Sequence, residues 1–270
     1  MRLTGSHAGA IGSRLSKAGI SSFDDCTRER LYALRDIFLD TCSPGAAKTY
    51  LSEFKSYLAR YGEGRVPCKD YDKILRVKGG ERPVKTYLTP EELGKVAAFV
   101  PLSKSERLVQ NLFIISTRTG LRHSDVAKLR PESITPRADG SGSLTYVAEK
   151  TGITATLPVS ADTIRRIKAC AGAAPLSLMH YNRVLREICR ESGIDTPVAT
   201  HRGGKDHYGP KWEFVSSHTG RISFCTNLSR LGVALIDISR MAGHSSTAMT
   251  ERYIVPGAIT LPETAMAYLG

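Results

Sequence analysis

The sequence predicts a mainly α-helical protein of two domains: a small all-helical one, then a larger, mostly helical one with a small antiparallel β-sheet. Three observations lead there. Apolar residues recur at helical spacing behind recognisable N-cap signals over most of the chain. Only the stretch 141–159 is rich in β-formers instead. A basic segment without sustained periodicity, 62–87, separates two helical sets. With 270 residues and 41% hydrophobic composition, the chain can bury two cores.

In order along the chain, residues 1–26 are rich in Gly, Ser and Ala and promise partial disorder or a loose helix. Thr27–Leu39 carries Leu31, Leu34 and Ile37/Phe38 on one helical face. Ser43-Pro44 supplies an N-cap and a first-turn proline for a helix to about Tyr61, with a stripe of Tyr50/Leu51, Phe54, Tyr57/Leu58 and Tyr61. Lys48 and Lys55 lie off that stripe, on a modest basic face that suits solvent as well as DNA. The 62–87 segment holds Lys69, Lys73, Arg76, Lys78 and Arg82 and reads as a linker; the domains are placed at 1–78 and 88–270, joined by 79–87. Thr89-Pro90-Glu91-Glu92 is a capping box that opens the second domain. An apolar helix over Leu108–Ile115 leads to Thr119-Gly120-Leu121-Arg122-His123-Ser124-Asp125, where another helix starts. Arg122 at that start adds its charge to free backbone N–H groups, and Asp125 one turn on is positioned to hold it.

Ser141–Glu149 and Thr154–Val159 straddle Lys150-Thr151-Gly152 as a β-hairpin. Helices resume after Ser160 and Ser177, and Thr200–Pro210, with His201 and His207, reads as a polar loop. The final helices carry His218, Arg221 and His244, and Leu228–Ile238 reads as core. His123, His180, His201 and His207 fit no motif and read as surface or loop residues; Trp212 reads as a packing residue.

Lys+Arg outnumber Asp+Glu by 38 to 26, a formal charge of +12, which points to a polyanionic partner, most commonly nucleic acid. Six cysteines occur without a C-x-x-C pair or a Cys/His cluster, which argues against a zinc site and a disulfide framework. No signal peptide and no membrane-length apolar run is present, so an intracellular, soluble protein is expected.

The chemistry is concentrated near the end. His218 and Arg221 are three residues apart and share a helix face, where an arginine fork and a proton-carrying imidazole can address one phosphate. His244 follows, and nine residues later comes Tyr253, whose hydroxyl is a candidate nucleophile. A tyrosine with an ordinary pKa of about 10 needs a base or strong local positive charge to attack at neutral pH. Two arginines, a lysine and two histidines supply such charge without a metal, and no cluster of carboxylates exists to hold one.

The Thr119–Asp125 segment, Glu149-Lys150-Thr151-Gly152, His218-x-x-Arg221, Gly243-His244-Ser245-Ser246 and Tyr253, in this order, resemble the tyrosine recombinase (phage integrase) family from about Leu88 to Tyr253. The helical segment before them looks like that family's core-binding domain, with Lys48, Lys55, Lys73, Arg76, Lys78 and Arg82 as DNA-contact candidates. The resemblance implies that Arg122 and Arg221 clamp the scissile phosphate and that Lys150 protonates the leaving 5′ oxygen. It makes His218 an acid/base aid, His244 a phosphate hydrogen-bond donor, Tyr253 the nucleophile joined to a 3′ phosphate and Asp125 a supporting acid. It further implies a site-specific recombinase or integrase of a mobile element such as a phage, cytoplasmic and DNA-associated, working without metal, ATP or other cofactor. The expected partner is duplex DNA with inverted-repeat core sites. The apolar 254–270 tail, which carries Ile254, Val255, Ile259, Leu261, Met266, Tyr268 and Leu269, suits docking on the chain's own core or, as the resemblance implies, exchange between the protomers of a homotetramer, with DNA-bending accessory proteins as further partners. The alternatives are a type IB topoisomerase or telomere-resolvase-like enzyme, which shares the chemistry, and a catalytically silent DNA-binding relative, against which the intact set from Arg122 to Tyr253 argues. Two departures stand out: Gly220 inside His-x-x-Arg is expected to loosen the turn that carries His218, and no arm-site domain is read ahead of the short first domain, so either a simple recombinase or a true N-terminus upstream of this chain is expected.

Overall fold

The computed structural model describes residues 3–79, 85–202 and 205–255, apart from the side chains of 200–206. Arg82 and tail residues 256–270 lie outside them. The chain divides into two compact units, Met1–Pro83 with His201–His207, and Val84–Thr200 with Tyr208–Gly270. No described helix is long and apolar enough to cross a membrane.

The first unit contains α1 (Ala8–Lys17), α2 (Arg28–Thr41), α3 (Pro44–Tyr61) and the single turn α4 (Tyr71–Ile74). Thr27 caps α2 by accepting from Arg30 N–H, and Ser43 caps α3 ahead of Pro44. Leu31, Leu34, Phe38, Leu51, Phe54 and Leu58 form the core on the predicted stripes. Residues 1–26 differ from expectation. Ile11 and Leu15, four apart on α1, are buried, and Ile20, Phe23 and Cys26 follow them into the same core. Gly9, Gly12 and the serines dilute the local helix signal, and tertiary burial outweighs that weak propensity. Residues 62–78 are likewise not a linker in structure, since Val66, Cys68, Ile74 and Leu75 pack into the core. Their basic neighbours Lys73, Arg76 and Lys78 stay exposed, as does Lys48, while Lys55 is half-buried.

The second unit is built around α6 (Lys104–Thr119), which starts at a Ser103/Glu106 capping box and is buried almost all round from Val109 to Thr119. Around it lie α5 (Pro90–Ala98), with the predicted Thr89/Glu92 capping box, α8 (Ala161–Cys170), α9 (Leu178–Glu191) and α10 (Ser217–Arg230). The turn α7 (His123–Val126) follows α6, and α11 (Leu235–Met241) and α12 (Thr247–Glu251) follow α10. Strands β1 (Ile134–Pro136), β2 (Gly142–Val147) and β3 (Thr154–Val159) form an antiparallel sheet in that order, with Leu144 opposite Leu157 and Tyr146 opposite Ala155. These four residues are buried, while Thr145, Val147, Thr154 and Thr156 between them are exposed, as a strand period of two requires. The predicted polar loop 200–210 is instead part of a two-stranded sheet, β4 (Pro197–Arg202) and β5 (Lys205–Pro210). Its residues lack the apolar alternation that marks a strand, so the sequence reads equally as a loop.

Gly220 does not loosen α10; it marks where α10 crosses α6. A Cβ there would lie 2.6 Å from Ser116 Oγ and 2.9 Å from Ser116 Cβ. That hydroxyl is fixed by donating to the Leu121 carbonyl at 2.9 Å. A Gly220→Ala variant is therefore expected to lose about 1–3 kcal/mol through overpacking, despite alanine's better helix propensity. Urea denaturation measures this, and a midpoint at or above wild type would show that the crossing has room.

Candidate active site

The site begins where α6 ends. Gly120 closes the helix with φ +69, and a Cβ on it would stand 2.5 Å from the Phe224 ring, so the position demands glycine twice over. The chain then turns through buried Leu121 to Arg122, the extended N-cap of α7. With only four residues in α7, the positive potential here comes from the guanidinium and little from a helix dipole. Asp125 does not hold Arg122. It is 6% exposed, and its Oδ1 accepts from the backbone N–H of Glu149 at 3.3 Å. It thus fixes the β2–β3 turn beside Lys150, and Thr151 Oγ1 pins the same turn by donating to the Gly243 carbonyl at 3.3 Å. Lys150 itself is exposed at the tip.

Arg221 projects from α10 into the centre of the unit and is 1% exposed. Its Nη1 donates to the Gly120 carbonyl at 2.6 Å and its Nε to His244 Nε2 at 3.2 Å. Burial first, and the neighbouring charge of Arg122 second, depress its pKa. Arg122 Nη1 and Arg221 Nη2 are buried and have no hydrogen-bond partner within the protein. Buried guanidinium N–H groups without acceptors are costly, and two of them on adjacent like charges are what an oxyanion would satisfy.

His244 lies in the turn after α11, not on a helix, and its N–H donates to the Ser239 carbonyl at 2.9 Å. Its Nδ1 faces Thr250 Oγ1 at 2.9 Å. Since Nε2 accepts from Arg221, the proton sits on Nδ1. Burial, then the charges of Arg221 and Arg122, push its pKa down to about 3. His218, in the first turn of α10, reaches solvent. Even so, the protein packed around its ring, followed by the cations Arg221, Lys85, Arg122 and Lys150, pushes it down to about 4.

Tyr253, just beyond α12, is surrounded by these groups. Its ring centre is 5.2 Å from that of His218 and 4.9 Å from that of His244, which stacks at 22°. The Arg221 Cζ is 5.1 Å from it and Lys85 Nζ 5.3 Å. The backbone is latched as well. Buried Thr226 donates to the Tyr253 carbonyl at 3.2 Å and accepts from Val255 N–H at 3.3 Å. Ile254 packs against the chain's own Phe224/Ile238 cluster. Of the predicted set, Arg122, His218, Arg221, His244 and Tyr253 thus meet at one place, with Lys150 at its edge. Thr226, Thr250, Lys85 and the Gly120 carbonyl carry no sequence signal, since each acts through a partner distant in the chain or through backbone. His123 is no surface residue: its ring packs edge-on against buried Tyr181 at 4.4 Å, and burial lowers its pKa.

A pH dependence follows from His244. A histidine whose folded pKa lies below its ordinary 6.5 stabilises the fold fully above that value and loses the contribution as pH falls toward about 3. Every tenfold loss of proton affinity on folding corresponds to roughly 1.4 kcal/mol. The melting temperature of the DNA-free protein is therefore expected to fall through this acid window, and His244→Gln to flatten the fall. Thermal melts across a pH series measure it; equal slopes for the two proteins would remove His244 as the cause.

The phage integrase family model matches residues 86–257. A comparison with curated protein sequences found no match. Among solved structures, a lambda integrase dimer bound to a COC′ core site is 17% identical, with 96% of this chain and 92% of that one aligned and a TM-score of 0.66. The XerH site-specific recombinase in a post-cleavage complex with palindromic difH is 14% identical, over 97% of this chain and 75% of that one, with a TM-score of 0.64. The Tn1549 transposon integrase in complex with transposon right end DNA is 14% identical, over 98% and 93%, with a TM-score of 0.62. These likenesses show the fold, and the family model spans the segment in which Arg122, Lys150, His218, Arg221, His244 and Tyr253 all lie. The chain belongs to the phage integrase family.

Proposed function

We propose that the chain is a site-specific DNA recombinase that cuts and rejoins DNA through a 3′-phosphotyrosyl intermediate. The observation that carries this reading is the enclosure of the Tyr253 ring by Arg221, His218 and His244, beside two buried guanidinium N–H groups without a protein acceptor. A scissile phosphate satisfies those donors, and its negative charge offsets the repulsion between Arg122 and Arg221.

Tyr253 Oη loses its proton to His218, which is neutral at physiological pH and free to accept it. The phosphate's charge makes the resulting imidazolium tolerable among the surrounding cations. The phenolate oxygen then attacks phosphorus, the bond from phosphorus to the 5′ oxygen breaks, and Lys150 supplies the proton to that leaving oxygen. Arg122 and Arg221 hold the extra charge of the pentacoordinate transition state. His244 Nε2, an acceptor from Arg221 without DNA, becomes a phosphate donor once the anion raises its proton affinity. The phosphotyrosyl ester conserves the energy of the broken bond, so rejoining reverses these steps with another strand's 5′ hydroxyl as the nucleophile, without ATP. Because Tyr253 packs on its own chain's Arg221, the protomer that binds a phosphate also attacks it.

The helical first unit is the core-binding domain in this reading. Lys48, Lys55, Lys73, Arg76, Lys78 and Arg82 are its DNA contacts, and duplex DNA with inverted-repeat core sites is the partner. Structural neighbours crystallised as a dimer and as a tetramer on a Holliday junction support a homotetramer on DNA; exchange of the 254–270 tail between protomers belongs to the same reading. Accessory DNA-bending proteins and action at the nucleoid belong to the same proposal.

The test is a nicked suicide duplex carrying the core site, incubated with protein in excess EDTA without nucleotide. A protein–DNA adduct that survives denaturation is expected, and joined products between two sites should form on intact substrates. A strict requirement for a divalent ion at the cleavage step would overturn the mechanism, and relaxation without joined sites would identify a topoisomerase instead.

A further inference from the structure

Tyr253 is held by one more group than this chemistry uses. Lys85 precedes α5 in a segment with no regular structure, yet that segment is fixed in place. Leu88 N–H donates to Ser223 Oγ at 2.9 Å, and Asn227 Nδ2 donates to the Leu88 carbonyl at 2.9 Å. Arg230 donates to the Tyr87 hydroxyl at 2.9 Å, and Lys211 Nζ stands 5.7 Å from the Tyr87 ring centre. Ser223, Asn227 and Arg230 all belong to α10, the helix that also carries His218, Arg221 and the Thr226 latch. One helix therefore places both Lys85 and the backbone of Tyr253. The half-buried Lys85 Nζ ends 5.3 Å from the centre of the Tyr253 ring, within the range of a cation–π contact.

A lysine near a DNA-processing site is ordinarily a phosphate contact. The alignment with an aromatic ring and the pinning of its segment argue for more. Its charge is also felt at two residues flanking Tyr253, His218 and Cys225. A fixed ammonium on a phenol ring both restricts the ring and favours the phenolate over the phenol.

We infer that Lys85 is a positioning residue for the nucleophile, holding the Tyr253 ring in its own protomer's site and stabilising the phenolate that attacks. The inference rests on Tyr253 being that nucleophile. The charged and titratable groups around the ring are His218 and Arg221 of α10, His244 of the turn after α11 and Lys85; Arg122 after α6 acts on both histidines and Lys150 of the β-hairpin on His218. The two histidines titrate far to the acid side, at about 4 and about 3, so neither changes charge across a neutral-to-alkaline pH series.

The experiment is single-turnover cleavage of the suicide duplex as a function of pH, at saturating protein, for wild type, Lys85→Met and Lys85→Arg. Lys85→Met keeps the apolar stem and removes the charge. It should cleave roughly three- to thirtyfold more slowly at neutral pH, with the pH of half-maximal rate raised by about 0.5 to 1.5. Lys85→Arg should restore the rate to within about threefold, since a guanidinium serves over a ring as well. DNA affinity by filter binding should change little. A Lys85→Met profile that superimposes on wild type, or a loss confined to affinity and its salt dependence, would overturn the inference and make Lys85 a phosphate contact. Tyr253→Phe runs beside it. If that variant still forms the adduct, the reading beneath has failed; if it does not and Lys85→Met matches wild type, only the role of Lys85 has.

Discussion

A Tyr253→Phe variant is expected to bind its DNA site as wild type does and to form no covalent adduct on a suicide substrate. Only the nucleophilic oxygen is removed. The ring keeps its stacking on His244 at 4.9 Å and its place beside Arg221, and the Thr226 latch acts through backbone atoms that the substitution leaves alone. Denaturing gels give the result, with mobility-shift titrations alongside to show that binding is intact. Adduct formation at more than background in the variant means that another residue attacks.

Arg221→Lys and Arg122→Lys should each lower the cleavage rate by about two orders of magnitude or more, as when a fixed donor facing developing charge is lost. The expectation is stronger for Arg221. Its three nitrogens are committed in different directions, Nη1 to Gly120, Nε to His244 and Nη2 to no protein partner, and an ammonium cannot serve all three. Losing the Nε contact also frees His244 Nε2, so the effect should exceed a simple loss of charge. Rapid-quench cleavage assays measure the rates. A lysine variant within tenfold of wild type would show that charge alone suffices and that the directed guanidinium donors are not the source of catalysis.

Much of this was legible in the amino-acid sequence because it depends on neighbours along the chain. The Thr89/Glu92 capping box, Ser43-Pro44 at the start of α3 and the alternation in β2 and β3 are local patterns with local causes. The candidate set Arg122, Lys150, His218, Arg221, His244 and Tyr253 came from the order of short motifs that resemble one family, and the chemistry proposed for them suits transfer of a phosphoryl group. The misread stretches were those where the local signal is weak. α1 is rich in glycine and serine and is ordered by the burial of Ile11 and Leu15; residues 62–78 lack periodicity yet bury Val66, Ile74 and Leu75. Gly220 has an unfavourable local propensity and a favourable tertiary reason, the crossing against Ser116.

By itself, then, the sequence determined the helical character of both units and the β-hairpin, since these follow from propensity and periodicity, and through its resemblance to a family it pointed to the side chains proposed to carry the chemistry. The tertiary structure alone decided that Asp125 braces the hairpin and not Arg122, that His244 accepts from Arg221, that Thr226 latches the tyrosine segment, and that Lys85 stands over its ring. Those pairings join residues far apart in the chain, as Arg221 and Gly120 are at a separation of 101 positions, and they depend on how helices pack. Packing is also what buries one N–H group of each of Arg122 and Arg221 without a protein acceptor, and that leaves a place where a phosphate would be the stabilising partner.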